Sequence, residues 1–153
     1  MTREKNMKPH PLFLNWQIPT HYQLGSFNLK SLNTAQNARD YSAIMESVDN
    51  IRSAAPQLTW PKGLTLEQNL IDLAWHQKEF ETRRSFAWTI EDGSSEYLGC
   101  AYVYPSMDGS RSAEVAWWWR RGFQTHNAVF ETLFLNWLES EDWPDLEYRK
   151  IIP

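Results

Sequence analysis

The sequence predicts a mixed α/β domain built around an antiparallel meander. Three observations carry that expectation. The β-rich runs SFAWTI and YLGCAYVY are each followed by a turn containing Asp-Gly, EDGSS and MDGS, and Asp-Gly between such runs is a strong hairpin signal. Three longer segments repeat apolar residues at three- and four-residue spacing, as amphipathic helices do. Strands and helices do not alternate strictly, which argues against a parallel doubly wound sheet.

The elements follow in order. Residues 1–26 hold three prolines and no clean period, and read as an irregular N-terminal arm. The apolar residues of its LFLNWQIP stretch need cover and are expected against the body. FNLKSL, from Phe27 to Leu32, alternates apolar and polar residues as a half-buried strand does. Asn33 or Thr34 opens a helix with Ala38, Tyr41, Ile44, Met45 and Val48 on one face. Pro56, Pro61 and Gly63 break the chain after it. Thr65 and Gln68 form a capping box for a second helix, with Leu66, Leu70, Leu73, Ala74, Gln77 and Phe80 along its face. His76 on this helix reads as a surface or boundary residue.

Ser85–Ile90, Tyr97–Tyr104 and Ala113–Trp119 make the meander, with period-two placement along the first two. A polar stretch, RRGFQTHN, leads into the helix AVFETLFLNWLES. Val129, Leu133, Asn136 and Trp137 fall near one face of that helix, broadened by Phe130, Phe134 and Leu138. Pro144 stops the helical region, and LEYRKII is a last short strand. The expected order is β-α-α-β-β-β-α-β.

At 153 residues the chain suits one domain with a sizeable core. A hydrophobic fraction of 42% and nine tryptophans argue for a folded protein. A net charge of -4 gives no sign of the basic stripe that nucleic acid requires. One cysteine, Cys100, excludes an internal disulfide and reads as a small buried residue. No signal peptide and no apolar run near twenty residues are present, so a soluble, cytoplasmic protein without a membrane contact is expected.

AEVAWWW, followed by a loop and an amphipathic helix ending in NWL, resembles the GCN5-related N-acetyltransferase (GNAT) superfamily, in particular its ribosomal-protein-acetyltransferase-like branch. The likeness runs from about Phe27 to Ile152 and is strongest from Tyr97 to Leu138. It implies an acyl-CoA N-acyltransferase fold over 27–153, with a mostly antiparallel sheet flanked by helices. The chain ends soon after LEYRKII, where the family adds further strands.

The resemblance also implies acetyl-CoA as co-substrate and direct transfer of its acetyl group to a small-molecule or peptide amine. In the family a loop of the pattern Arg/Gln-x-x-Gly-x-Gly/Ala holds the pyrophosphate at a helix N-terminus. Glycines let the backbone approach phosphate, and the helix end favours negative charge. Laid on this chain the pattern covers Gln124, Thr125, His126, Asn127, Ala128 and Val129. Asn127 stands for the first glycine, where the readiness of Asn to take positive φ preserves the turn. Val129 stands for Gly or Ala and crowds that space. Arg120 and Arg121 are candidates for the CoA phosphates. Backbone N–H groups from Trp117 to Trp119 polarise the thioester if the strand splays. Glu114 is the candidate base, against the plainer reading that it caps a sheet edge or pairs with Arg111. A second reading is a degenerate domain that binds acyl-CoA or a partner without catalysis. A third is a small ligand-binding protein with an aromatic pocket. Aromatics at an open sheet edge also fit a homodimer interface.

Overall fold

The computed structural model describes residues 8–54 and 59–151. Residues 1–7, Pro56 and Ile152, named above, lie outside the described residues. The strands are β1 (His21–Leu24), β2 (Phe27–Ser31), β3 (Phe86–Glu91), β4 (Tyr97–Pro105), β5 (Ser112–Trp119) and β6 (Glu147–Lys150). The helices are α1 (Asn37–Met45), α2 (Val48–Ala54), α3 (Leu66–Glu81) and α4 (Asn127–Leu138). One six-stranded sheet holds the strands in chain order. Every neighbouring pair is antiparallel except β5 and β6, which are parallel.

Two apolar layers cover the sheet. One joins Trp88, Val103, Val115 and Trp119 to Phe130, Phe134 and Trp137 of α4 and to Phe13 and Ile18 near the N-terminus. The other joins Ala87, Cys100 and Trp118 to Ile44, Ile51 and Leu73 of the first three helices. Strand alternation sorts neighbours such as Trp117 and Trp118 to opposite layers. Trp88 is fully buried, and its indole N–H donates to the Pro19 carbonyl at 3.1 Å. The LFLNWQIP stretch thus lies against the body, as its composition requires.

The differences from the sequence reading have local causes. Within the stretch read as an irregular arm, His21–Leu24 forms a strand paired with β2. The first predicted helix breaks into α1 and α2 at Glu46–Ser47, where the Ser47 hydroxyl bonds the Ala43 carbonyl at 2.6 Å. The Thr65–Gln68 capping box forms as expected, with bonds of 3.1 and 3.0 Å. The helix it starts is rotated from its apolar stripe: Leu66 and Leu70 are exposed, whereas Asn69, Leu73 and Phe80 are buried. Asn69 faces inward because its amide donates to Asp40 and Asn37 of α1. On α4 the buried face is Phe130, Phe134, Trp137 and Leu138, leaving Val129 and Asn136 exposed.

Gly99 fixes how closely β4 and β5 approach. A Cβ on it would stand 2.0 Å from the Trp118 carbonyl oxygen. Only glycine fits that spacing.

Candidate functional site

The site begins where β5 outruns its partner. Ser112 to Val115 pair with Glu147 to Lys150, and the Ile151 N–H closes the ladder on the Val115 carbonyl at 2.8 Å. β5 continues to Trp119 on β4 alone. The Arg120 N–H donates to Leu98 on the β4 side, so by alternation Trp117 and Trp119 turn their peptide groups the other way. Among the described residues no strand meets them there. A cavity of about 660 Å³ fills this wedge and draws its walls from both faces of the sheet. Trp117, Trp119, Gln124 and Asn127 line it on the α4 side. Asp40, Ile44, His76, Tyr102 and Trp118 line it on the other.

The loop after β5 turns at Gly122, with φ +93°, and runs through a 3-10 turn, Gln124–His126, into α4. Asn127 has φ -57° and belongs to the helix. The expected positive φ at Asn127 is therefore corrected: the left-handed position is five residues earlier, at a glycine that adopts it without strain. The Asn127 side chain instead accepts from the Trp117 and Trp119 indole N–H groups at 2.7 and 2.9 Å. One amide oxygen thus ties α4 to β5 across the wedge. Four loop N–H groups are already engaged: Gly122 donates to Gln124 Oε1 at 2.8 Å, Arg121 to Ser47 Oγ at 2.9 Å, Phe123 to the Arg120 carbonyl at 3.0 Å and His126 to the Phe123 carbonyl at 3.2 Å. The first turn of α4 carries no acidic residue and no side-chain cap.

Arg120 turns away from the wedge. It pairs with Glu46 and with Glu96, the latter at 2.6 Å, and lies over the Phe123 ring. Arg121 is exposed and forms no ion pair among the described residues. Thr125, Ala128 and Val129 are exposed at the start of α4, with Val129 at 58%, so its branched side chain points to solvent. His126 is half-buried and stacks on Phe123 with rings 6.2 Å apart. Glu114 is exposed, sits opposite Tyr104 and Arg149 and does not line the cavity. Arg111 donates to the Asp145 carbonyl rather than to Glu114.

The opposite side holds groups the sequence reading left without a role. Asp40 is 2% exposed. It accepts from the Tyr97 hydroxyl and, at 3.0 Å, from the Asn69 amide. Burial pushes its carboxyl upward against these bonds. Burial likewise pushes the Cys100 thiol up, so this buried cysteine stays protonated. Asp72 is raised by partial burial and then by the Asp40 charge. Burial lowers the His76 imidazole to about 4, which keeps it neutral at physiological pH. Its ring lies 5.5 Å from that of Tyr102, whose hydroxyl accepts from Trp118 at 2.8 Å. No sequence signal marks Asp40 and Asn69: both are polar residues at helical positions that become buried only when α1 and α3 pack and the Asn69 amide donates to Asp40.

No family model and no curated protein matches the sequence. Solved structures do match. A ribosomal L7/L12 α-N-protein acetyltransferase, RimL, in complex with coenzyme A superposes with a TM-score of 0.65 at 12% identity, over 80% of this chain and 70% of that one. The microcin C7 self-immunity acetyltransferase MccE, in complex with acetyl-CoA and AMP, gives 0.65 at 11% identity over 78% and 67%. A ribosomal-protein-S5-alanine acetyltransferase from Vibrio fischeri gives 0.60 at 11% over 79% and 68%. The chain has the GNAT fold.

The wedge is the gap between β5 and β6, and α4 follows β5 in the chain. The residues singled out from the sequence divide accordingly. Trp117, Trp119, Gln124 and Asn127 converge on the wedge, Arg121, Thr125, His126, Ala128 and Val129 surround its loop and helix end, and Arg120 and Glu114 stand apart.

Proposed function

We propose that this chain is an acetyl-CoA-dependent N-acetyltransferase that transfers acetyl directly to an amine. The supporting observation is the wedge: β5 extends beyond β6 and leaves the Trp117 and Trp119 peptide groups unpaired along a cavity open to both sheet faces. An unpaired strand edge suits the amide-bearing arm of CoA, which adds hydrogen bonds as a strand does. The same N–H groups polarise a thioester carbonyl and receive the oxyanion. The Asn127 side-chain amide, the Thr125 N–H and the His126 imidazole face the diphosphate, together with the Arg121 side chain. Ala128 and Val129 border this end of the helix. Gln124 leaves the Gly122 N–H to make room for a phosphate oxygen. Acetyl-CoA supplies an activated acyl group; the chain holds, orients and desolvates it.

The amine approaches from the α1 and α3 side. His76, neutral and in the cavity wall, accepts a hydrogen bond from the amine and orients its lone pair. Glu114 shares a strand face with Ala116 and Trp118 and takes the proton through solvent.

A second reading has one observation in its favour. Gln124 and Ser47 occupy loop donors, as in a domain whose cofactor loop has closed on itself. That domain binds acyl-CoA or a partner without turnover.

Calorimetric titration with acetyl-CoA tests the first reading, followed by thiol release against a panel of amines. The expected result is binding of about micromolar strength and turnover with at least one amine. Absence of heat and of a thermal shift at about millimolar ligand removes it. Binding without thiol release for any amine selects the second reading. A Glu114→Gln variant with unchanged rate reassigns the proton.

A further inference from the structure

The acceptor side of the cavity has a composition that selects among amines. We propose that it binds a compact organic ammonium carrying a flat aromatic body, with Asp72 as its charge partner. This deepens the acetyltransferase reading and rests on it for the chemistry, though not for the binding.

Four features support the choice. First, the walls on this side are aromatic: Trp60, Tyr102, Tyr104 and Trp118 line the cavity, with His76 against Tyr102. Tyr102 and Tyr104 stack with ring centres 5.8 Å apart and planes 8° apart, which presents one continuous ring surface. Such faces attract both flat apolar groups and cations.

Second, the charge is negative and unbalanced. Asp40 and Asp72 line the cavity, and neither forms an ion pair among the described residues. Lys150, a cation in the lining, is committed to Glu131 at 2.7 Å and lies over Trp117, on the α4 side. His76 stays neutral and adds no positive charge. The buried Asp40 carboxylate has no cation to offset its desolvation, and an ammonium held at the exposed Asp72 beside it relieves that cost.

Third, Asp40 and Asp72 differ in access. Asp40 is 2% exposed and already holds Tyr97 and Asn69, so it acts as a fixed field behind the site. Asp72 is exposed at the rim and free to pair directly.

Fourth, Asn50 lines the same cavity and its buried Nδ2 has no hydrogen-bond partner among the described residues. An unpaired buried donor calls for an acceptor on the ligand, such as a ring hydroxyl. About 660 Å³ must also admit the acyl end of the co-substrate, which leaves space for a small amine.

The probes are tyramine, its uncharged analogue p-cresol, spermidine, and a tetrapeptide with a free N-terminus. Each is titrated into the full chain by calorimetry and tryptophan fluorescence, with and without acetyl-CoA. Tyramine is expected to bind at least about tenfold more tightly than p-cresol and than spermidine. Asp72→Asn is expected to weaken tyramine about tenfold and to leave acetyl-CoA affinity unchanged. Tyramine binding no tighter than p-cresol, or unaffected by Asp72→Asn, overturns the proposal. The peptide or spermidine binding most tightly does the same. The two readings fail separately. Acetyl-CoA binding with turnover of the peptide alone removes this proposal and keeps the acetyltransferase. Tyramine binding that depends on Asp72, with no affinity for acetyl-CoA, removes the acetyltransferase and keeps the amine site.

Discussion

Asn127 offers a sharp test, because its oxygen and its nitrogen have separable jobs. Its Oδ1 accepts two indole N–H groups, from Trp117 at 2.7 Å and Trp119 at 2.9 Å. Asn127→Ala orphans both donors. Trp119 is 6% exposed and bears the full cost of an unmade bond, about 1–3 kcal/mol. Trp117 borders the cavity, where water replaces part of its lost bond. The sum is about 2–4 kcal/mol, which for a chain of this size lowers Tm by roughly 4–16 °C. Asn127→Asp keeps an acceptor for both indoles and adds negative charge at the start of α4, which the helix end favours. That variant is expected to melt within about 0.5 kcal/mol of the parent. Facing a diphosphate, however, the carboxylate repels, and acetyl-CoA affinity is expected to fall at least about tenfold. Urea melts followed by tryptophan fluorescence give the stabilities, and calorimetry gives the affinities. An Ala variant as stable as the parent refutes the indole clamp. An Asp variant that binds acetyl-CoA normally refutes the placement of the phosphates at this helix end.

Three further outcomes are expected. An unfolded imidazole protonates near 6.5, whereas that of His76 waits until about 4, so the unfolded chain binds the extra proton and stability falls as pH drops across that window. The loss is at most about 3 kcal/mol, reduced by partial exposure. The raised carboxyls of Asp40 and Asp72 act in the opposite sense, so the difference between parent and His76→Phe melts from pH 7 to pH 4 isolates the imidazole; parallel curves refute the burial of its neutral form. Gly99→Ala places a Cβ 2.0 Å from the Trp118 oxygen and is expected to cost about 3 kcal/mol or more in a denaturant melt; a change under about 1 kcal/mol shows that β4 and β5 can part. Arg121→Ala is expected to weaken acetyl-CoA several-fold, whereas Arg120→Ala, whose guanidinium is held by Glu46 and Glu96, leaves affinity unchanged in the same titration; the reverse ranking exchanges their roles.

The fold was legible where local chemistry alone decides structure. Asp-Gly turns placed the hairpins that carry β4 and β5, and Thr65 with Gln68 placed the start of α3. β1 escaped notice because HYQL is four residues long and mostly polar, and it is stabilised by pairing with β2 rather than by its own pattern. The rotation of α3 was illegible for a similar reason: Asn69 faces inward to reach Asp40, a contact 29 residues away in the chain. At the candidate site, Trp117, Trp119, Gln124 and Asn127 line one cavity, and the left-handed turn lies at Gly122 rather than at Asn127. The five-residue difference between Asn127 and Gly122 is a backbone angle, and sequence marks such angles only by residue type. The acidic and aromatic wall opposite escaped because its members come from α1, the loop before α3, α3, β4 and β5 and meet only after the helices pack.

The sheet that follows chain order has a kinetic consequence. β3, β4 and β5 join through short turns, so the meander closes small loops and is entropically cheap to form early. β6 reaches β5 only after α4 has crossed the sheet, and its parallel ladder spans just four residue pairs. The wedge is therefore bounded on one side by an early-formed strand and on the other by a late, weakly held one. Local opening there detaches β6 before it disturbs the meander. Hydrogen exchange at Tyr148–Ile151 is then expected to outpace that at Leu98–Val103, and a ligand seated in the wedge to narrow the gap.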